Sequence, residues 1–155
     1  MKPRFICAAL CAVAAFAPAP ARACAPSPQA ALEAFISAFN ALDWSAFRAC
    51  LADEVSLFNP DIPGATSLRR LDGRAQVEKN FRAVFDAAGA GGPSPVSPDI
   101  HPEHVALERS GDMALVTFEF RRSEHSFGRR SLVLKRTHDG WRIIHIHASN
   151  VEVRP

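Results

Sequence analysis

Two histidines, His145 and His147, are the residues of this 155-residue chain best placed to do chemistry. They lie in the stretch Asp139-Gly140-Trp141-Arg142-Ile143-Ile144-His145-Ile146-His147-Ala148-Ser149-Asn150, which reads as a β-strand. Side chains of a strand alternate between faces. Strict alternation predicts Trp141, Ile143, His145, His147 and Ser149 on one face, and Arg142, Ile144, Ile146, Ala148 and Asn150 on the other. Imidazoles sharing a face could point at one metal ion or move protons to and from a substrate. A metal would need a third ligand from His101, Glu103, His104 or Glu119, and no Cys-rich or His-Glu-x-x-His spacing supplies one. No metal and no cofactor are expected. Two aspartates are further candidates for a general base. Asp43, just before Trp44, has the simpler role of a helix cap, and Asp61, between Pro60 and Pro63, that of a turn residue.

The elements that must position these groups follow from periodicity. Ser27-Pro28 opens a helix whose buried face is Leu32, Phe35, Ile36, Phe39 and Leu42. Asp43 caps a short second helix from Trp44 to Leu51, and Val55 to Asn59 reads as a strand ending at Pro60. A turn-rich loop covers Asn59 to Leu71. Asp72 is expected to cap a third helix carrying Val77, Phe81, Val84, Phe85 and Ala88 inward, stopped by Gly89, Gly91 and Gly92. Four apolar runs follow, His104–Arg109, Met113–Arg122, Arg130–Thr137 and Trp141–Val153, separated by turn signals. They predict an antiparallel meander. The order ααβα and then four strands is an α+β domain with helices on one face of a curved sheet.

The front of the chain is read apart from this domain. Lys2 and Arg4, the apolar run Phe5 to Phe16, and Ala21-Arg22-Ala23 form a secretory signal peptide over residues 1–23, with cleavage expected after Ala23. The single domain then spans 24–155, and a periplasmic or secreted location is expected. No membrane span is expected, because Pro18 and Pro20 break the leader's run and no second long apolar segment follows. The full chain carries 18 Lys and Arg against 16 Asp and Glu; the leader holds three of the basic residues and no acidic one. The remainder is close to neutral, which gives no electrostatic case for nucleic acid. Cys7 and Cys11 leave with the leader. Cys24 and Cys50 remain in an oxidising compartment, where a disulfide between them is the leading expectation. The alternatives are lipid modification of Cys24 and a buried thiol at Cys50.

The chain resembles the nuclear transport factor 2-like superfamily of cone-shaped α+β barrels. It is most similar to SnoaL-like domains and to the association domain of calmodulin-dependent kinase II. The residues that carry the likeness are Asp43-Trp44-Ser45-Ala46-Phe47, Gly73-Arg74 before a long helix, Gly111-Asp112-Met113-Ala114-Leu115-Val116, and the strand from Asp139 to Ser149. The resemblance implies three helices closing a strongly bent, mostly antiparallel sheet around a cavity. It also implies a homodimer or larger homo-oligomer formed through the convex sheet face, where His145 and His147 could serve as interface or cavity groups. Steroid-isomerase-like members pair an Asp base with a phenolic donor, and this chain has no tyrosine. The arginines that line the kinase domain's pocket fall near Phe120, Leu132 and Ala148 here, all apolar. Arg121, Arg122, Arg129 and Arg130 bracket a hairpin tip and read as a solvated surface.

Within such a cone, Phe58, Phe118, Phe120, Leu134, Ile144 and Ile146 either line a cavity suited to a small apolar or aromatic molecule or fill the core. Glu119, alternating with Phe118 and Phe120, faces outward. The functional expectation is a ligand-binding domain. Alternatives are an isomerase, dehydratase or cyclase using His145, His147 or Asp61, and a module whose role is oligomerisation.

Overall fold

A computed structural model describes residues 25–59, 70–89 and 99–153. The leader at 1–23, Cys24 and Asp61 lie outside the described residues. In α1 (Pro28–Asn40), Ser27 Oγ accepts the Ala30 N–H at 3.1 Å and Pro28 fills the first turn. In α2 (Trp44–Ala49), Asp43 Oδ1 accepts the Ala46 N–H at 2.9 Å, the cap expected of it. This helix stops at Ala49 rather than Leu51, and β1 (Leu51–Phe58) starts at Leu51 rather than Val55. The Cys50 carbonyl accepts the Ile143 N–H at 2.8 Å, which draws the chain onto the sheet as soon as the helix ends.

A short strand, β2 (Leu71–Asp72), pairs antiparallel with β1 inside the expected loop and cap. Asp72 therefore does not cap α3 (Arg74–Gly89); its carboxylate accepts Arg70 Nε at 2.7 Å. Gly73, at φ +84°, makes the turn into the helix, and its carbonyl accepts the N–H groups of Gln76 and Val77. The three helices meet at Phe47, which is wholly buried. Its ring centroid lies 5.1 Å from Phe35, 4.8 Å from Phe81 and 5.0 Å from Phe85.

The meander is β3 (Glu103–Ser110), β4 (Met113–Ser123), β5 (Ser126–Thr137) and β6 (Gly140–Glu152), all antiparallel to their chain neighbours. Two-residue turns, Gly111-Asp112 and His138-Asp139, join β3 to β4 and β5 to β6. The sheet runs β2-β1-β6-β5-β4-β3, curved and unclosed. β1 lies parallel to β6, so the last strand is central. The helices cover the concave face, where Leu57, Val116, Phe118, Leu132, Leu134, Ile143 and Ile146 join their core. Asn40 exchanges two 2.9 Å hydrogen bonds with the backbone of Ile100, fastening the approach to β3 to the end of α1. No described helix is long and apolar enough to cross a membrane.

One irregularity decides which side chains face inward. Val133 pairs with His145 and Leu134 with Ile143, so Ile144 is an extra residue in β6. Trp141 and Ile143 are buried before this bulge; Ile146 and Ala148 are buried after it. The strict alternation expected for β6 is corrected accordingly. His145 and His147 lie on the convex face, opposite Trp141 and Ile143.

Candidate ligand cavity

Between α1, α3 and the concave face lies a cavity of about 70 Å³. Phe35, Phe39 and Phe81 wall it from the helices, and Phe118, Leu132 and Ile146 from the sheet. Its polar lining is Asn59, Asn80 and Arg130. The two amides bond each other, Asn59 Nδ2 to Asn80 Oδ1 at 2.8 Å and Asn80 Nδ2 to Asn59 Oδ1 at 3.3 Å, tying the end of β1 to α3.

Arg130 is the only charged residue of this lining among the described residues. It alternates with Leu132 and Leu134 on β5 and so points inward with them. Its guanidinium stacks on Phe120, 4.8 Å from the ring centroid. Nη1 donates to the carbonyls of Arg129 at 2.8 Å and Ser149 at 3.0 Å. No carboxylate among the described residues pairs with it. Desolvation, reinforced by the charge of Arg122, pulls its pKa down to about 10. The expected solvated hairpin surface is corrected in part. Arg121, Arg122 and Arg129 are exposed, Arg122 Nη1 donating to the Ser126 hydroxyl at 3.0 Å, whereas Arg130 lines the cavity.

The residues expected to line a cavity divide. Phe118 and Ile146 line it. Phe120 is buried beneath Arg130, and Leu134 is wholly buried among the core side chains. Ile144 is the bulge residue, and Phe58 stands 37% exposed on the convex face. Strand parity explains the last: Phe58 pairs with His147 while Leu57 pairs with Ile146 and takes the inward place. Leu132 and Ala148, two of the apolar positions aligned with pocket arginines, do line the cavity. The guanidinium comes instead from Arg130, whose Cα pairs with that of Ala148. Glu119 faces outward as expected and accepts Arg129 Nε at 3.2 Å.

On the convex face, Ser56 Oγ lies 2.8 Å from His145 Nδ1. The Phe58 ring lies 5.7 Å from His145 and 5.8 Å from His147, with Arg70 above it. Desolvation, then the charges of Arg70 and His147, hold the His145 pKa below its usual value, against a raising influence from Asp72. Among the described residues no three His, Cys, Asp or Glu side chains converge as a metal site. Cys50 is buried, with Sγ 3.4 Å from the Ala46 carbonyl; the proposed bridge falls on Cys24, outside the described residues.

The profile of the SnoaL-like domain matches residues 29–153. The chain belongs to the SnoaL-like domain family. No curated protein matches this SnoaL-like domain, but solved structures do. It is 26% identical to a candidate calcium/calmodulin-dependent protein kinase type II association domain from Thiobacillus denitrificans, covering 83% of this chain and 98% of that one at a TM-score of 0.62. A nuclear transport factor 2-like protein of unknown function from Pseudomonas putida is 18% identical, with 78% and 82% covered and a TM-score of 0.63. A candidate dehydratase of the same fold from Streptomyces avermitilis is 22% identical, with 78% and 91% covered and a TM-score of 0.62. The SnoaL-like domain therefore has the nuclear transport factor 2-like fold that its motifs suggested.

Proposed function

We propose that this SnoaL-like domain is an exported binding protein that holds a small, largely apolar organic molecule in its inner cavity. The cavity carries the reading. Protein interiors are packed to near crystal density, yet about 70 Å³ stays open here, walled by phenylalanines and aliphatic side chains beside a cation. Few convergent polar groups on an apolar wall are the composition of a small-molecule site. The volume is well below the roughly 300–1,000 Å³ of drug-sized pockets, which favours a compact ligand. Acid–base catalysis inside the cavity finds no group in His145 or His147, which lie on the opposite sheet face; an isomerase, dehydratase or cyclase reading rests on Asp61.

A second reading, assembly, is favoured by the convex face, where Leu115 is 40% and Met113 38% exposed. A second copy of the chain seated there would cover them, in keeping with the association-domain relative.

Native mass spectrometry of protein purified from the periplasm, without chelator or reductant, tests these readings together. The expected result is a chain beginning at Cys24, two hydrogens lighter for a Cys24–Cys50 bridge, dimeric, and carrying a small organic mass. A ligand-free oligomer that no small apolar compound stabilises against heat would overturn the binding reading and leave assembly.

A further inference from the structure

We infer that the ligand carries a hydroxyl, seated between the side-chain amides of Asn59 and Asn80; this rests on the cavity being a ligand site. The two amides are the neutral polar side chains of the described lining, one just past the end of β1 and one on α3. Both residues are half-buried. Their two reciprocal bonds are unequal. Asn59 Nδ2 donates to Asn80 Oδ1 at 2.8 Å, whereas Asn80 Nδ2 reaches Asn59 Oδ1 at 3.3 Å, beyond the usual range for an N–H···O bond. Among the described residues neither amide makes a further hydrogen bond. The longer bond is therefore the place where a ligand atom enters at least cost, while the shorter one keeps β1 and α3 together.

Chemistry at that bond narrows the class. A group inserted there must accept from Asn80 Nδ2 and donate to Asn59 Oδ1. A hydroxyl does both from one atom. An ether or a carbonyl only accepts, so it would separate the amides and leave Asn59 Oδ1 without a donor beside an apolar wall. Arg130 makes no such distinction, because a guanidinium only donates. Phe39, Phe81, Phe118 and Leu132 surround the pair with apolar surface. The class is a compact alcohol or phenol whose remaining body is apolar.

The test is a fluorine NMR titration of the purified protein with para-fluorophenol, para-fluoroanisole and para-fluorotoluene. A wholly apolar cavity would prefer the toluene, whose methyl group costs nothing to take out of water. The phenol is instead expected to bind about fivefold more tightly than either of the others, the worth of one added hydrogen bond. Asn80→Leu keeps the volume, removes the donor and should reverse the order, leaving the toluene ahead of the phenol. The order on the wild type needs no variant to fold. Equal binding of phenol and anisole, both ahead of the toluene, would mean that the oxygen only accepts, and overturns the insertion between the amides. A toluene that binds as tightly as the phenol on the wild type overturns the hydroxyl class while the cavity reading stands. No binding of any probe strikes the cavity reading itself.

Discussion

Gly128 is glycine because Phe120 lies where its side chain would be. A Cβ there would run into the Phe120 ring, which in turn carries the Arg130 guanidinium. Gly128→Ala is expected to cost about 1–3 kcal/mol, the range for overpacking a tight site, read as a lower urea midpoint. It should also move the Arg130 side chain. His145 makes a different prediction. Its folded pKa lies below the usual value, so on acidification the unfolded chain takes up the proton first. Stability contributed by this group is then constant above about pH 6.5 and falls as pH drops through that value. His145→Gln should flatten the fall in melting temperature between roughly pH 7 and pH 5; an unchanged slope would assign it to other groups. The inward place of Arg130 was legible in its parity with Leu132 and Leu134, but its neighbours Arg129, Arg121 and Arg122 gave the stretch the look of a charged surface.

At the scale of elements, the sequence stated most clearly what is local. The caps at Ser27 and Asp43, the periods of α1 and α3, and the turns at Gly111-Asp112 and His138-Asp139 are all short-range chemistry. Two features were not legible because they depend on pairing partners far along the chain: the parallel docking of β1 on β6, and the pairing of Leu71-Asp72 with β1. The bulge at Ile144 belongs with them. A slip of one residue exchanges the faces of a strand, which is why Trp141 and Ile143 share the inner face with Ile146 and Ala148 instead of the histidines' face. Since Ile144 is the extra residue, its deletion should leave Ile146 and Ala148 inside and His145 and His147 outside. The deletion variant is expected to keep a cooperative thermal transition. Deletion of Ser131, in the regular stretch of β5, would shift one flank of the strand to the wrong face and should abolish that transition.

For the whole molecule, the sheet separates two kinds of work. Its concave face and the helices enclose the proposed ligand site, while its convex face presents Leu115, Met113 and the histidine pair to a proposed second copy. Leu115→Glu should therefore dissociate the proposed dimer in sedimentation velocity and leave uptake of a small apolar compound intact. Loss of uptake together with the dimer would mean that the two faces are coupled. The strand order also imposes a schedule. β6 is the last of the described strands to be made, yet it lies between β1 and β5, and Leu51 in β1 waits for Ile143 in β6. Pairings so distant in sequence make folding a late event. Until residues 140–152 have been synthesised, β1 and β2 have no sheet to join and the aromatic cluster around Phe47 has no floor. A nascent chain short of residue 140 has therefore had no opportunity to close, and in that condition a polypeptide can still be threaded through a narrow channel.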